Sequence, residues 1–153
     1  MVVRHGSANV QQKTGQPATA PARSLGIKTG DVIQVAQRLK EGLPYEAVPR
    51  LQQRSGLSLE AIGTVAQIPR RTLARRKAQG KLTPQESERL YRLALVFERA
   101  IELFEDDIAA TRNWLQAPNK ALANQSPLKM VETEIGAREV EDLIGRLEHG
   151  VFG

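Results

Sequence analysis

Six cations crowd one short stretch of this chain. Between Pro69 and Lys81 stand Arg70, Arg71, Arg75, Arg76, Lys77 and Lys81, with no acidic residue among them. Side chains of one sign at that density repel each other and weaken a fold unless a polyanion neutralises them. The chemistry on offer is recognition: guanidinium groups form bidentate hydrogen bonds to phosphate or to guanine edges, and lysines act as point charges. Catalytic material is scarce by comparison. There is no cysteine, and the two histidines, His5 and His149, lie near opposite ends. Thiolate metal sites and disulfides are excluded, and a histidine zinc site or a Ser-His-Asp triad has too few residues to build on. The acidic group Glu102, Glu105, Asp106 and Asp107 reads as a solvated face and a helix cap. No paired-carboxylate motif and no Gly-rich phosphate loop is present, so the expectation is a non-enzyme with no cofactor and no metal.

The charge is divided along the chain. Residues 1–81 hold 14 Lys and Arg against 4 Asp and Glu, whereas residues 82–153 hold 8 against 13. The net charge of +5 therefore combines a basic half with an acidic half, which points to two surfaces with different partners. Nucleic acid is the expected partner of the first. At 153 residues there is room for one ordinary domain or two small ones sharing a core. With 4% aromatic residues that core must be built from Leu, Ile, Val and Ala, as packed helices allow. No apolar run reaches the roughly 18 residues of a membrane span, and Met1 to Gly6 lack the apolar core of a secretory signal. A soluble cytoplasmic protein is expected.

These cations need a scaffold, and the apolar spacing supplies one. Residues 1–27, rich in Gln, Ala, Pro, Gly, Ser and Thr, show no sustained period and read as a disordered arm. From Thr29, a candidate N-cap, Val32, Ile33, Val35, Ala36 and Leu39 recur at helical spacing until Gly42. A second helix is expected from about Tyr45 to Ser55, stopped by Gly56. Ser58 caps a short helix with Leu59, Ile62, Val65 and Ala66; Gln67-Ile68 breaks it; and Pro69 opens the basic helix, which Gly80 ends. Two short helices joined by a tight turn, the second strongly basic, describe a helix-turn-helix. Small Gly63 falls where the two must approach closely. Gln67 occupies the place usual for a turn glycine, and Arg76 a place often apolar. Thr83-Pro84-Gln85-Glu86 starts a long helix with a capping box, and Leu90, Leu93, Ala94, Phe97, Ile101 and Phe104 form its apolar stripe to about Glu105. Further helices are expected from Asp106 or Asp107 to Leu115, from Ser126-Pro127 to Val131, and from Ala137 to His149. The domains then read as 1–27 arm, 28–82 helix-turn-helix region, 83–105 connecting or dimerisation helix, and 106–153 C-terminal domain. No alternating strand pattern of useful length appears, and the chain is expected to be all-α.

In a helix-turn-helix the front of the second helix reads bases. Arg70, Arg71 and Thr72 are the candidates for that role, with Arg75, Arg76, Lys77 and Lys81 placed on phosphates. One small module covers few base pairs, so a homodimer on a two-fold site is expected.

The sequence also resembles a known family. Arg71 to Lys77, Gly80-Lys81-Leu82-Thr83, Glu86 to Leu90 and Arg92-Leu93-Ala94 are similar to the antitoxins of the Xre/MbcA/ParS type. Ala110 through Trp114-Leu115, Pro118-Asn119, Ala121-Leu122, Ser126-Pro127-Leu128, Glu132 to Ala137, Val140 and Arg146 to Phe152 resemble that family's toxin-binding domain. The likeness covers about residues 28–153. It implies a helix-turn-helix region packed through the long central helix onto a helical toxin-binding domain. It further implies an antitoxin of a type II pair that represses its own operon and blocks its toxin by contact within a larger hetero-oligomer. Partners in such pairs are usually RES-domain enzymes acting on NAD, which would be the toxin's substrate. On this resemblance the last helix and its tail, Arg146, Glu148, His149, Gly150, Val151 and Phe152, plug the toxin's cleft, with Phe152 as apolar anchor and Glu148 pairing with basic groups there. Trp114 fits either a core or an interface role. The alternative is a stand-alone repressor whose C-terminal half dimerises or senses a ligand.

Overall fold

The computed structural model describes residues 19–150, which form nine α-helices and one 3-10 turn, with no strand among the described residues. The helices are α1 (Ala20–Ser24), α2 (Val32–Glu41), α3 (Ala47–Ser55), α4 (Leu59–Val65), α5 (Arg70–Gln79), α6 (Pro84–Leu103), α7 (Ile108–Gln116), α8 (Pro127–Met130) and α9 (Glu134–Glu148); the 3-10 turn is Lys120–Leu122. The all-α expectation holds.

Local chemistry sets most of the boundaries. Thr83 and Glu86 form the capping box that starts α6: Thr83 Oγ1 accepts from the Glu86 amide at 3.1 Å, and Glu86 Oε1 accepts from the Thr83 amide at 2.9 Å. Such caps contribute about 1 kcal/mol each. Ser58, Asp107 and Ser126 cap α4, α7 and α8 in the same manner. Asp31 rather than Thr29 caps α2; the Thr29 hydroxyl instead accepts from the Asp31 amide at 3.1 Å. The last helix begins three residues before Ala137, because Thr133 Oγ1 takes the Gly136 amide and starts a turn there.

α6 is the beam of the molecule. Leu90, Leu93, Ala94, Val96, Phe97, Ala100 and Ile101 are all buried along it. These positions cover more than one face, because α1, α2, α3 and α4 pack against α6 together with α7 and α9. Phe104, expected at the end of the buried stripe, is half-buried at the helix C-cap. Polar groups on the beam are also enclosed, and most have a partner, the buried Nε of Arg99 being the exception. Glu98 receives two hydrogen bonds from Arg54 at 2.9 Å, whose guanidinium also lies 5.7 Å over the Phe97 ring. Ser87 Oγ accepts from the Leu43 amide at 2.8 Å. Leu43 and Tyr45 in turn join the segment after α5, through Leu82 N to Leu43 O at 2.8 Å and Tyr45 N to Gly80 O at 3.0 Å. Gly42, at φ 94, lets the backbone pass close to the Leu82 carbonyl, where any Cβ would collide.

The arm expected over residues 1–27 needs correction. Residues 1–18 lie outside the described residues, but Ala20–Ser24 is helical, and Ala22, Leu25 and Ile27 are buried in the common core. A five-residue helix has too few turns to display a period. Its order comes from burial against α6, since isolated helices of that length are unstable in water. Leu25→Ala should therefore cost about 2–5 kcal/mol, as large-to-small core changes do, and lower Tm in a thermal melt by roughly 5 °C or more. An unchanged melting curve would mean that this segment is not part of the core.

A candidate nucleic-acid interface and its link to the C-terminal half

The turn between α4 and α5 is tight. Ile68 N donates to Gly63 O at 2.8 Å, and a Cβ at Gly63 would stand 2.9 Å from the Ile68 carbonyl and 3.1 Å from Leu73 Cδ1. The close approach expected at Gly63 is present. Gln67 adopts φ 58, the left-handed conformation that glycine tolerates best. A side chain there costs roughly 1–2 kcal/mol.

α5 packs on the rest of the domain through Leu73, which is buried. With 3.6 residues per turn, Arg70, Ala74 and Lys77 form one stripe and Arg71, Arg75 and Ala78 the next; all six are exposed, as is Lys81 beyond the helix. Thr72 is half-buried on the flank. Four of the cations expected at the interface, Arg70, Arg71, Arg75 and Lys77, thus share the outward side of α5, and Lys81 is exposed just beyond it.

Arg76 does not join them. Its Nε and Nη2 donate to the Glu86 carboxylate at 2.8 and 3.1 Å, and its Nη1 to Gln79 at 3.2 Å. Glu86 is buried, so its charge requires a partner, and Arg76 supplies it across ten residues of chain. The place where an apolar residue is often found is thus filled by an inward-facing arginine held in an internal ion pair. Burial works against the charge on Glu86, but the hydrogen bonds from Arg76 and from the Thr83 amide outweigh it and hold the carboxyl below its ordinary value of 4.5. The same pair raises the pKa of Arg76.

The C-terminal candidates are more dispersed. Trp114 is half-buried, its ring 5.9 Å from that of Phe104 and tilted by 53°. Arg146 lines an open groove with Arg99, Arg138, Asp142 and His149. Glu148, expected to meet basic groups of a partner, accepts from Arg99 of α6 at 2.8 Å within the chain, a partly exposed pair that contributes about 1 kcal/mol at most. His149 and Gly150 are exposed at the helix end. Val151 and Phe152 lie outside the described residues.

Two arginines of α6 do work that their spacing did not advertise. Arg89 Nη1 donates to Ala66 O at 3.3 Å in the helix-turn-helix turn, and Arg92 donates to Val131 O at 3.1 Å and Glu132 O at 3.0 Å. Burial lowers the pKa of Arg92, and Glu134 opposes that shift. On the sequence these residues are simply polar positions off the apolar stripe. Their targets are backbone carbonyls, which carry no sequence signal.

Comparison with known proteins matches both regions. Residues 34–95 fit the family model described as the antitoxin Xre-like helix-turn-helix domain, and residues 99–150 that of the antitoxin Xre/MbcA/ParS C-terminal toxin-binding domain. The chain is 37% identical over 131 residues to the protein named antitoxin Xre of Yersinia enterocolitica, covering 85% of this chain and 88% of that one. It is 35% identical to the antitoxin Xre of Photorhabdus laumondii, covering 84% and 88%. This chain belongs to the Xre antitoxin family. A third Xre antitoxin, from Pseudomonas putida, is 28% identical over 76% of this chain and 72% of its own length. Among the described residues no helix of this family member is long and apolar enough to cross a membrane.

The Arg76–Glu86 pair gives a pH test. A carboxyl whose folded pKa is depressed stabilises the fold above its unfolded pKa and loses that contribution as pH falls through the folded value. The wild-type chain should therefore lose stability on acidification below about 4.5, and Arg76→Met should lower Tm at pH 7 and flatten this acid limb. Arg75→Met should leave both unchanged. Identical pH–Tm profiles for the Arg76 variant and the wild type would remove Arg76 from the fold's polar core.

Proposed function

We propose that this Xre-family antitoxin neutralises a RES-domain, NAD-consuming toxin by direct contact and represses its own operon through α5. The observation that carries the reading is the pair of exposed cationic stripes on the second helix of a helix-turn-helix, in a chain whose C-terminal half matches a toxin-binding domain. Arg70, Arg71 and Thr72, at the front of α5, contact base edges. Arg75, Lys77 and Lys81 neutralise phosphates, and counterion release supplies much of the affinity. Arg76 sits beneath them and fixes the seat of α5 on α6. A homodimer places two copies of α5 on a two-fold operator.

The acidic C-terminal half serves the toxin. α9 carries the tail residues Val151 and Phe152 into the toxin's cleft, with Phe152 as the apolar anchor. Arg146, His149 and Gly150 flank that entry, and the half-exposed Trp114 offers a further contact to the toxin. Glu148 contributes by holding α9 to Arg99. NAD belongs to the toxin, and the antitoxin acts in the cytoplasm by occupancy without turnover.

Two measurements test the halves separately. Arg75→Ala should weaken binding to a duplex of the chain's own promoter and reduce the slope of log K against log salt by about one unit; an unchanged slope would take α5 off the phosphates. A chain ending at Arg146 should bind the same duplex normally yet fail to protect cells expressing the neighbouring RES-domain gene. Continued protection by that chain would refute the plug.

A further inference from the structure

The carbonyl of Glu132 accepts two side-chain hydrogen bonds from different parts of the molecule. One comes from Arg92 Nη2 on α6 at 3.0 Å, the other from Gln67 Nε2 in the helix-turn-helix turn at 2.9 Å. Gln67 is the residue held at φ 58 where glycine would sit without strain. It keeps a side chain at that position, and the side chain spans 65 residues of sequence to reach the C-terminal region.

Both ends of this contact abut the start of a helix. Gln67 stands three residues before Arg70, the first residue of α5, and Ile68 between them is pinned to Gly63 O. Glu132 stands two residues before Glu134, the first residue of α9, and adjoins Thr133, whose hydroxyl caps that helix. The Thr133 amide itself makes only a 3.4 Å bond to Met130 O. The 2.9 Å bond from Gln67 is lost once donor and acceptor stand beyond about 3.6 Å. The Gln67–Glu132 contact, which is exposed, therefore persists only while the turn and the α8–α9 junction stay within reach of one amide side chain.

We infer that Gln67 is a positioning residue that couples the occupancy of α5 by DNA to the order of the first turn of α9. This inference rests on the DNA-binding half of the function proposed above. DNA seated on α5 holds the α4–α5 turn in place; Gln67 then holds the Glu132 carbonyl alongside Arg92, and the cap at Thr133 opens less often. A partner that engages α9 senses the same contact from its other end, because coupling between two sites is reciprocal.

Hydrogen–deuterium exchange on the full chain, with and without a duplex of its own promoter at low salt, tests this directly. In the wild-type protein, amides of residues 132–137 should exchange about fivefold more slowly when DNA is bound, the lower range of ordinary allosteric coupling. Gln67→Ala and Gln67→Gly should both bind the duplex within about twofold of wild type and both lose that slowing. Alanine keeps the strained backbone and glycine relaxes it, so a loss shared by both belongs to the side-chain amide. A loss confined to one variant would assign the effect to the backbone and overturn the proposal. Binding without slowing in the wild type would overturn the coupling alone. A chain that binds no promoter duplex would defeat the DNA-binding reading, and the coupling with it.

Discussion

Burial of α6 along most of its length governs the rest of this structure. A helix covered on several sides must bury polar positions as well as apolar ones, and a buried polar or charged group is costly unless it is bonded. Four such residues on α6 take a partner from a different segment: Glu86 from Arg76, Ser87 from Leu43, Glu98 from Arg54, and Arg92 from the carbonyls of residues 131 and 132, whereas the enclosed Nε of Arg99 has none. Desolvation at one helix thereby fixes how α5, α3 and the α8–α9 junction sit around it. Hydrophobic contact alone would leave those placements loose, because it has no direction.

The same requirement sorts the cationic run. Viewed as charge, Arg75 and Arg76 are equivalent. Viewed in the fold, Arg75 stands in the open stripe and Arg76 points to a buried carboxylate. One helix thus presents a continuous cationic surface outward while using a member of the same cluster to anchor itself. Self-repulsion within the cluster falls accordingly, since Glu86 offsets the charge of one member.

Elements with local signals were readable in advance. The Thr83–Glu86 capping box, the Ser58 cap, the glycine ends at Gly42, Gly56 and Gly80 and the tight approach at Gly63 all appear where residue chemistry places them. Those features depend on neighbours within four or five positions. α1 escaped because five residues cannot show a period, and its apolar side chains acquire meaning only against α6. The start of α9 was placed late because the apolar stripe begins after the capping turn at Thr133. Gln67 was visible as a departure from turn glycine, but its partner is a backbone carbonyl 65 positions away.

The sequence by itself determined the helical class, the helix-turn-helix with its basic second helix, the division into a cationic and an anionic half, and the family likeness. These follow from local spacing, capping chemistry and charge. Tertiary structure alone decided which cations remain free, which carboxylates are committed within the molecule, and which segments on either side of α6 touch. Those outcomes depend on pairings between groups far apart in the chain, selected by the cost of leaving a buried charge or carbonyl without a partner.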